Sequence, residues 1–306
     1  MVEKTIFGTM EDGREVSRYT LTNQNGVSAS FLDLGAIWST MLVPDRNGEM
    51  ADVLLGHETV ADCLVSDGHL GEAVGRNANR IGGAAFTLNN KKYELTANDG
   101  PNNLHSGMDF YNIRIWETEE VTETSVRFKL HSPDGDQGYP GAMNVRVTYE
   151  LKEDNGLYIS YCAESDADTI WNMTNHAYFN LNGAGSGTAM DQILQIRASH
   201  YTPVIDAKSI PTGEIASVEG TPFDFREAKP MGRDIEQAND QLSYGHGYDH
   251  NFVLDKERAG LEKIATAYST KSGIKMDVIT DCIGMQLYTA NFIQRSEERR
   301  VGKECR

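Results

Sequence analysis

The stretch NVRVTYELKEDNGLYISYCAE, residues 144–164, decides the fold. Apolar and polar residues alternate on both sides of KEDNG (152–156), and a strand points successive side chains to opposite faces. The polar centre, with its Asn-Gly pair, supplies a turn. Two antiparallel strands with a short connection are expected.

The same period recurs on either side. SVRFKL (125–130), DQILQIRA (191–198) and GIKMDVI (273–279) alternate likewise. In AAFTLNNKKYELT (84–96), Phe86 and Leu88 point one way, Asn89-Asn90 turn the chain, and Tyr93 and Leu95 return, which predicts a hairpin. Helical patterning is confined to ETVADCLVS (58–66) and QANDQL (237–242). Regular βα alternation is absent, and turn signals recur about every 8–12 residues. The expected class is all-β, a large antiparallel β-sandwich.

The formal charge of −17 in 306 residues disfavours nucleic acid and anionic membranes as partners, while a neutral small molecule is not repelled. No apolar run approaches the roughly 20 residues that span a bilayer. The opening MVEKTIFGTMEDGREV has no apolar signal-peptide core. Cys63, Cys162, Cys282 and Cys305 form no C-x-x-C pair, so neither a zinc site nor a disulfide-dense scaffold is indicated. A soluble cytoplasmic protein is expected.

The last residues, RSEERRVGKECR (295–306), break abruptly from the strand-like IGMQLYTANFIQ (283–294). They carry five basic and three acidic residues in an otherwise strongly acidic chain. A solvated basic tail is one reading. The string also resembles a reading frame of a synthetic sequencing adaptor. The expectation is therefore a single domain over 1–294 lacking its C-terminal strands, followed by a non-native tail over 295–306.

Several chemistries are unsupported by motif: there is no phosphate loop, no dinucleotide fingerprint after a strand and no nucleophile elbow. GHGYDH (245–250) places His246 and His250 four apart beside Asp249, but its glycines argue against the helix such ligand spacing needs, and no metal is assigned. What remains is four polar clusters. GRNANRIGG (75–83) holds Arg76, Asn77, Asn79 and Arg80; NDGPNNLHSG (98–107) holds His105; WNMTNHAYFNLNG (171–183) holds His176; GHGYDHNF (245–252) holds Asp249. Singly, each fits ordinary turn residues, surface ion pairs or a core histidine. Jointly they fit a sugar, whose hydroxyl pairs match planar amides, carboxylates and guanidinium groups and whose C–H faces stack on aromatic rings. Trp38, Tyr139, Trp171 and Tyr178 are the candidate rings.

GRNANRIGGAAFTLNNKKYELTANDGPNNLHSG, then TNHAYFNLNG, GYDHNFVL and IGMQLYTANF, resemble in order and spacing the aldose 1-epimerase (galactose mutarotase) family. The resemblance runs from near the N-terminus to about Gln294. It implies a β-supersandwich, a monomeric or homodimeric cytosolic enzyme without cofactor, and interconversion of the α and β anomers of free aldoses. His176 takes the family's general-acid position and His105 the position of the histidine that assists near the ring oxygen. Asn79, Arg80, Asp249 and Gln286 take the substrate-contact positions. The family's general base is a glutamate in a motif S-G-x-x-L-E, which does not occur here and would fall beyond Arg306. The chain as written is accordingly expected to be poorly behaved or inactive, its activity much weakened by loss of the base even where sugar binding is retained.

Mutarotation removes a proton from the anomeric hydroxyl and delivers one to the ring oxygen, so an acid and a base suffice. Histidine, with an ordinary pKa of about 6.5, suits the acid. Three other readings stay open, one of them an epimerase of sugars attached to other carriers. A non-catalytic carbohydrate-binding module would keep Asp249, Arg80 and Gln286 but would not need both histidines. A hexose-phosphate relative would present an arginine cluster, for which Arg76 and Arg80 are available.

Overall fold

The computed structural model describes residues 1–66 and 68–293. The tail read above as non-native, 295–306, lies outside the described residues. The chain divides into two compact units, Met1–Val43 with Leu54–Tyr178, and Pro44–Val53 with Phe179 onward. Every strand pairing between the strands named below is antiparallel.

In the first unit the 144–164 stretch forms Met143–Leu151 and Leu157–Ser165, paired from Met143↔Ser165 to Leu151↔Leu157. They continue a sheet with Ser125–Ser132 and Glu117–Val121. Met143–Leu151 alternates buried and half-buried residues along its whole length. Leu157–Ser165 buries none, because it is the edge of the sheet. A second sheet begins with the meander Val2–Thr9, Glu15–Thr22, Ser28–Leu32 and Trp38–Pro44. Val16, Leu32, Leu34 and Ile37 from this region pack with Val60 and Cys63 of the short helix Val60–Val65, which Thr59 caps. The hairpin is Ala85–Leu88 with Lys91–Glu94, and both turn residues, Asn89 (φ 52°) and Asn90 (φ 61°), sit in the left-handed region that a two-residue primed turn requires.

Tyr149, from the stretch that decides the fold, is fully buried and stacks on Phe31 at 4.3 Å. Its hydroxyl donates to Ala36 O at 2.6 Å and accepts from Asn175 Nδ2 at 3.3 Å. Asn175 also donates to Gly71 O at 2.8 Å. Gly71 has φ +71°, and a Cβ there would lie 2.0 Å from Trp38 O. Because that neighbour is backbone, Gly71→Ala is expected to destabilise the protein by at least about 2 kcal/mol in urea unfolding, from left-handed strain plus the clash.

The second unit carries two sheets. One orders Lys229–Pro230, Ile193–Ile196, Glu262–Tyr268 and Lys275–Thr280; the other orders Ala216–Ser217, His200–Thr202, Asp249–Val253 and Gly284–Tyr288. Its buried rings are Tyr201 stacked on Phe223 at 4.6 Å, with Tyr248 and Phe252 against Phe223. The second expected helix is Asp240–Gly245, capped by the Asn239 side chain. Among the described residues no helix is long and apolar enough to cross a membrane.

Candidate active site

Short pairings in the first unit join motifs far apart in sequence. Arg80–Ile81 pairs with Asn103–Leu104, and Ala73–Val74 pairs with Thr174–Asn175. Between those two points on the chain, Asn77 bridges to Asn172. Segment 69–81 is thereby tied to both the His105 motif and the His176 motif.

Each histidine is held by backbone. The Asn79 N–H donates to His105 Nδ1 at 3.0 Å, and the His105 N–H returns a bond to Asn79 O at 3.1 Å. Both residues take positive φ, 65° and 52°. With Nδ1 accepting, a neutral His105 carries its proton on Nε2. The His176 N–H donates to Glu72 O at 2.9 Å, and Gly71 N–H donates to His176 O at 3.0 Å. The two rings meet edge to face with centroids 5.4 Å apart, and the Tyr178 ring lies 5.2 Å from His176.

Burial, then His69, His176 and Arg80, holds His105 well below the ordinary histidine value. Burial, then His69, pushes His176 down to about 4. Both are therefore neutral imidazoles at pH 7. The ordinary value near 6.5 expected for the acid does not survive the packing around these rings.

The two arginines separate cleanly. The Arg80 side chain donates through Nε to Asp99 Oδ2 at 2.8 Å and makes no other hydrogen bond among the described residues, while its backbone N–H donates to Asn79 Oδ1 at 2.8 Å. Arg76 is fully buried and gives its N–H groups to the Ser132 hydroxyl and to the Ser132, Pro133 and Pro140 carbonyls and Thr169 Oγ1. It is a structural post, and an arginine cluster open to phosphate does not form here. Of the candidate rings, Tyr139 is wholly buried with Ala84 and Leu95 and so offers no face to a ligand. Trp38 is buried too, with its indole N–H donated to Thr40 O, while Trp171 is exposed. Tyr178 is the one that packs on His176.

In the second unit, Asp249 and Gln286 lie on paired strands, and Gln286 Nε2 donates to Asp249 Oδ1 at 2.7 Å. His250 is buried against Phe223 at 4.6 Å, whereas His246 is exposed at the end of the helix. Among the described residues no group of three His, Cys, Asp or Glu is placed to hold a metal ion.

Sequence reasoning missed His69 and Glu72. His69 completes a cluster of three imidazoles, 4.9 Å from His105 and 5.7 Å from His176 by ring centroids. Its Nδ1 lies 2.7 Å from Glu72 Oε2, and Glu72 is fully buried. HLGEAVGR (69–76) has no period or turn pair to flag it; a histidine three residues before a glutamate was the available signal.

The family model for aldose 1-epimerase matches residues 17–305. An aldose 1-epimerase of Haemophilus influenzae is 39% identical over 300 residues, covering 98% of this chain and 86% of the relative. A galactose mutarotase of Rattus norvegicus is 37% identical over 303 residues, covering 99% and 86%. The crystal structure of a galactose 1-epimerase from Lactobacillus acidophilus superposes with a TM-score of 0.83 at 29% identity, covering 95% of this chain and 83% of that one.

Proposed function

The chain belongs to the aldose 1-epimerase family, and from that premise we propose how its residues interconvert the α and β anomers of free aldoses such as galactose and glucose. The fold is the all-β sandwich of the galactose mutarotases. His176 is the group that delivers a proton to the ring oxygen, and His105 supports it there. Arg80, with N–H groups beyond the one given to Asp99, binds sugar hydroxyls. Asn79 acts first through its backbone, which orients His105. Asp249 and Gln286 are further substrate contacts, offering an acceptor and a donor already aligned with each other. The ring then opens, the C1–C2 bond rotates, and reclosure yields the other anomer. No step requires a cofactor, since nothing is oxidised. A cytoplasmic location and a monomeric or homodimeric state belong to the same proposal.

The observation that carries this reading is the meeting of His105 and His176 across strand pairings that also bring up Arg80. The internal commitment of Arg76 counts against a phosphorylated substrate.

The test is polarimetry of freshly dissolved α-D-galactose and α-D-glucose with calorimetry of the same sugars. Faster approach to the anomeric equilibrium supports the enzyme. Saturable binding without acceleration would leave a carbohydrate-binding module. Asp249→Asn is expected to raise KM about tenfold through one weakened charge-assisted hydrogen bond, with kcat less affected, as read from initial rates.

A further inference from the structure

Anomer interconversion moves no net proton, because the anomeric hydroxyl loses one while the ring oxygen gains one. The site must nevertheless hold an exchangeable proton when the sugar arrives. Neither His105 nor His176 carries an extra one at neutral pH. Resting on the mutarotase reading above, we propose that His69 and Glu72 form the pair that stores this proton, with Glu72 a positioning residue acting through His69.

The geometry is specific. Glu72 is fully buried, its Oε2 faces His69 Nδ1 at 2.7 Å, and its Oε1 has no hydrogen-bond partner among the described residues. A buried carboxylate is expensive without a counter-charge, and a proton on His69 supplies one. Three imidazoles within 6 Å cannot all be charged, so the one with a carboxylate against it is the place for a single positive charge. The other titratable groups around the pair do not compete. Arg80 has its own carboxylate, Asp99. Burial, and then Glu72, pushes the Cys63 thiol up to about 12. Burial also raises the Tyr111 phenol, and the Tyr178 ring packs on His176 rather than between the pair. The backbone bond from His176 N–H to Glu72 O holds the acid and the carboxylate together where they flank the paired strands Ala73–Val74 and Thr174–Asn175.

In the step, protonated His69 gives its proton to one nitrogen of neutral His176 as the other nitrogen gives its proton to the ring oxygen. His69 ends neutral, and His176 ends neutral as its other tautomer. The anomeric hydroxyl meanwhile gives its proton to water. Ring closure runs the relay backwards.

Glu72→Gln keeps the shape and an acceptor for His69 but removes the charge. Two measurements on the whole protein test the pair. In 15N-histidine NMR titrations without sugar, proton uptake by the cluster is expected to move to lower pH in E72Q. In polarimetric kinetics, E72Q is expected to lose about 10- to 100-fold in kcat at pH 7 with KM nearly unchanged, by analogy with the loss on removing a carboxylate behind a metal-bound histidine. His69→Gln should lose as much, the double variant no more, and Glu72→Asp should recover part of the loss. Unchanged proton uptake in E72Q, losses that multiply in the double variant, or a loss carried by KM would each overturn the proposal. A wild-type protein that speeds no anomerisation would instead sink the mutarotase reading, and the NMR arm would still decide whether the pair stores a proton.

Discussion

His176→Ala is expected to lower kcat for anomerisation by about 10²–10⁴, the usual worth of one positioned acid or base group. The substitution is clean because the contacts that place residue 176 are backbone bonds to Glu72 and Gly71, which alanine keeps. The Tyr178 ring loses its neighbour, but the pairing of Thr174–Asn175 with Ala73–Val74 remains. KM should change little, since the hydroxyl contacts are assigned to Arg80, Asp249 and Gln286. The measurement is polarimetry on variant and wild type, with near-ultraviolet circular dichroism to show that the aromatic packing persists. A kcat equal to wild type would remove His176 from the mechanism. His105→Ala should fall in the same direction, and by less if His105 only assists.

The strands were legible because alternation is a local property. Val145, Val147 and Tyr149 are buried in the order their spacing announces. The Asn89-Asn90 turn was legible for the same reason, since side chains that tolerate positive φ sit where the turn demands it. The site was legible only in its motifs. His105 and His176 stood out by resemblance, yet their protonation depends on neighbours brought in by pairing, and no window of sequence contains those. Arg76 and Arg80 look alike four residues apart, and only the fold shows that one is committed to carbonyls while the other keeps donors to offer. Tyr139 looked like a sugar platform and is core, because its segment turns inward beside Leu95. His69 and Glu72 carry no local pattern at all; their meaning lies in what the Ala73–Val74 pairing places beside them.

The buried histidines also set the acid limit of stability. Burial pushes both His176 and His250 down to about 4, against an ordinary value of about 6.5 that the unfolded chain would show. As pH falls below that ordinary value, the unfolded state takes up protons that the folded state refuses, so stability declines. It is fully present above about pH 6.5 and lost progressively toward pH 4, by about 3 kcal/mol for each such histidine. His250 shows why the folded state refuses. Its Nδ1 accepts the Asp249 N–H at 3.2 Å, and its Nε2 faces Gln241 Oε1 at 3.2 Å, so a second ring proton would turn an acceptor into a donor facing a donor. Carboxylates act in a lower window: Asp234, which Arg233 and then Lys229 hold down at about 2, contributes its loss only below about pH 4. Urea midpoints measured from pH 7.5 to 4.5 are expected to fall steeply below pH 6.5. His250→Gln, which cannot take up that proton, should flatten the slope by about one proton's worth while lowering stability at pH 7.5. A wild-type midpoint that holds level from pH 6.5 to 4.5, or a His250→Gln slope as steep as wild type, would mean that these rings are not neutral in the folded protein.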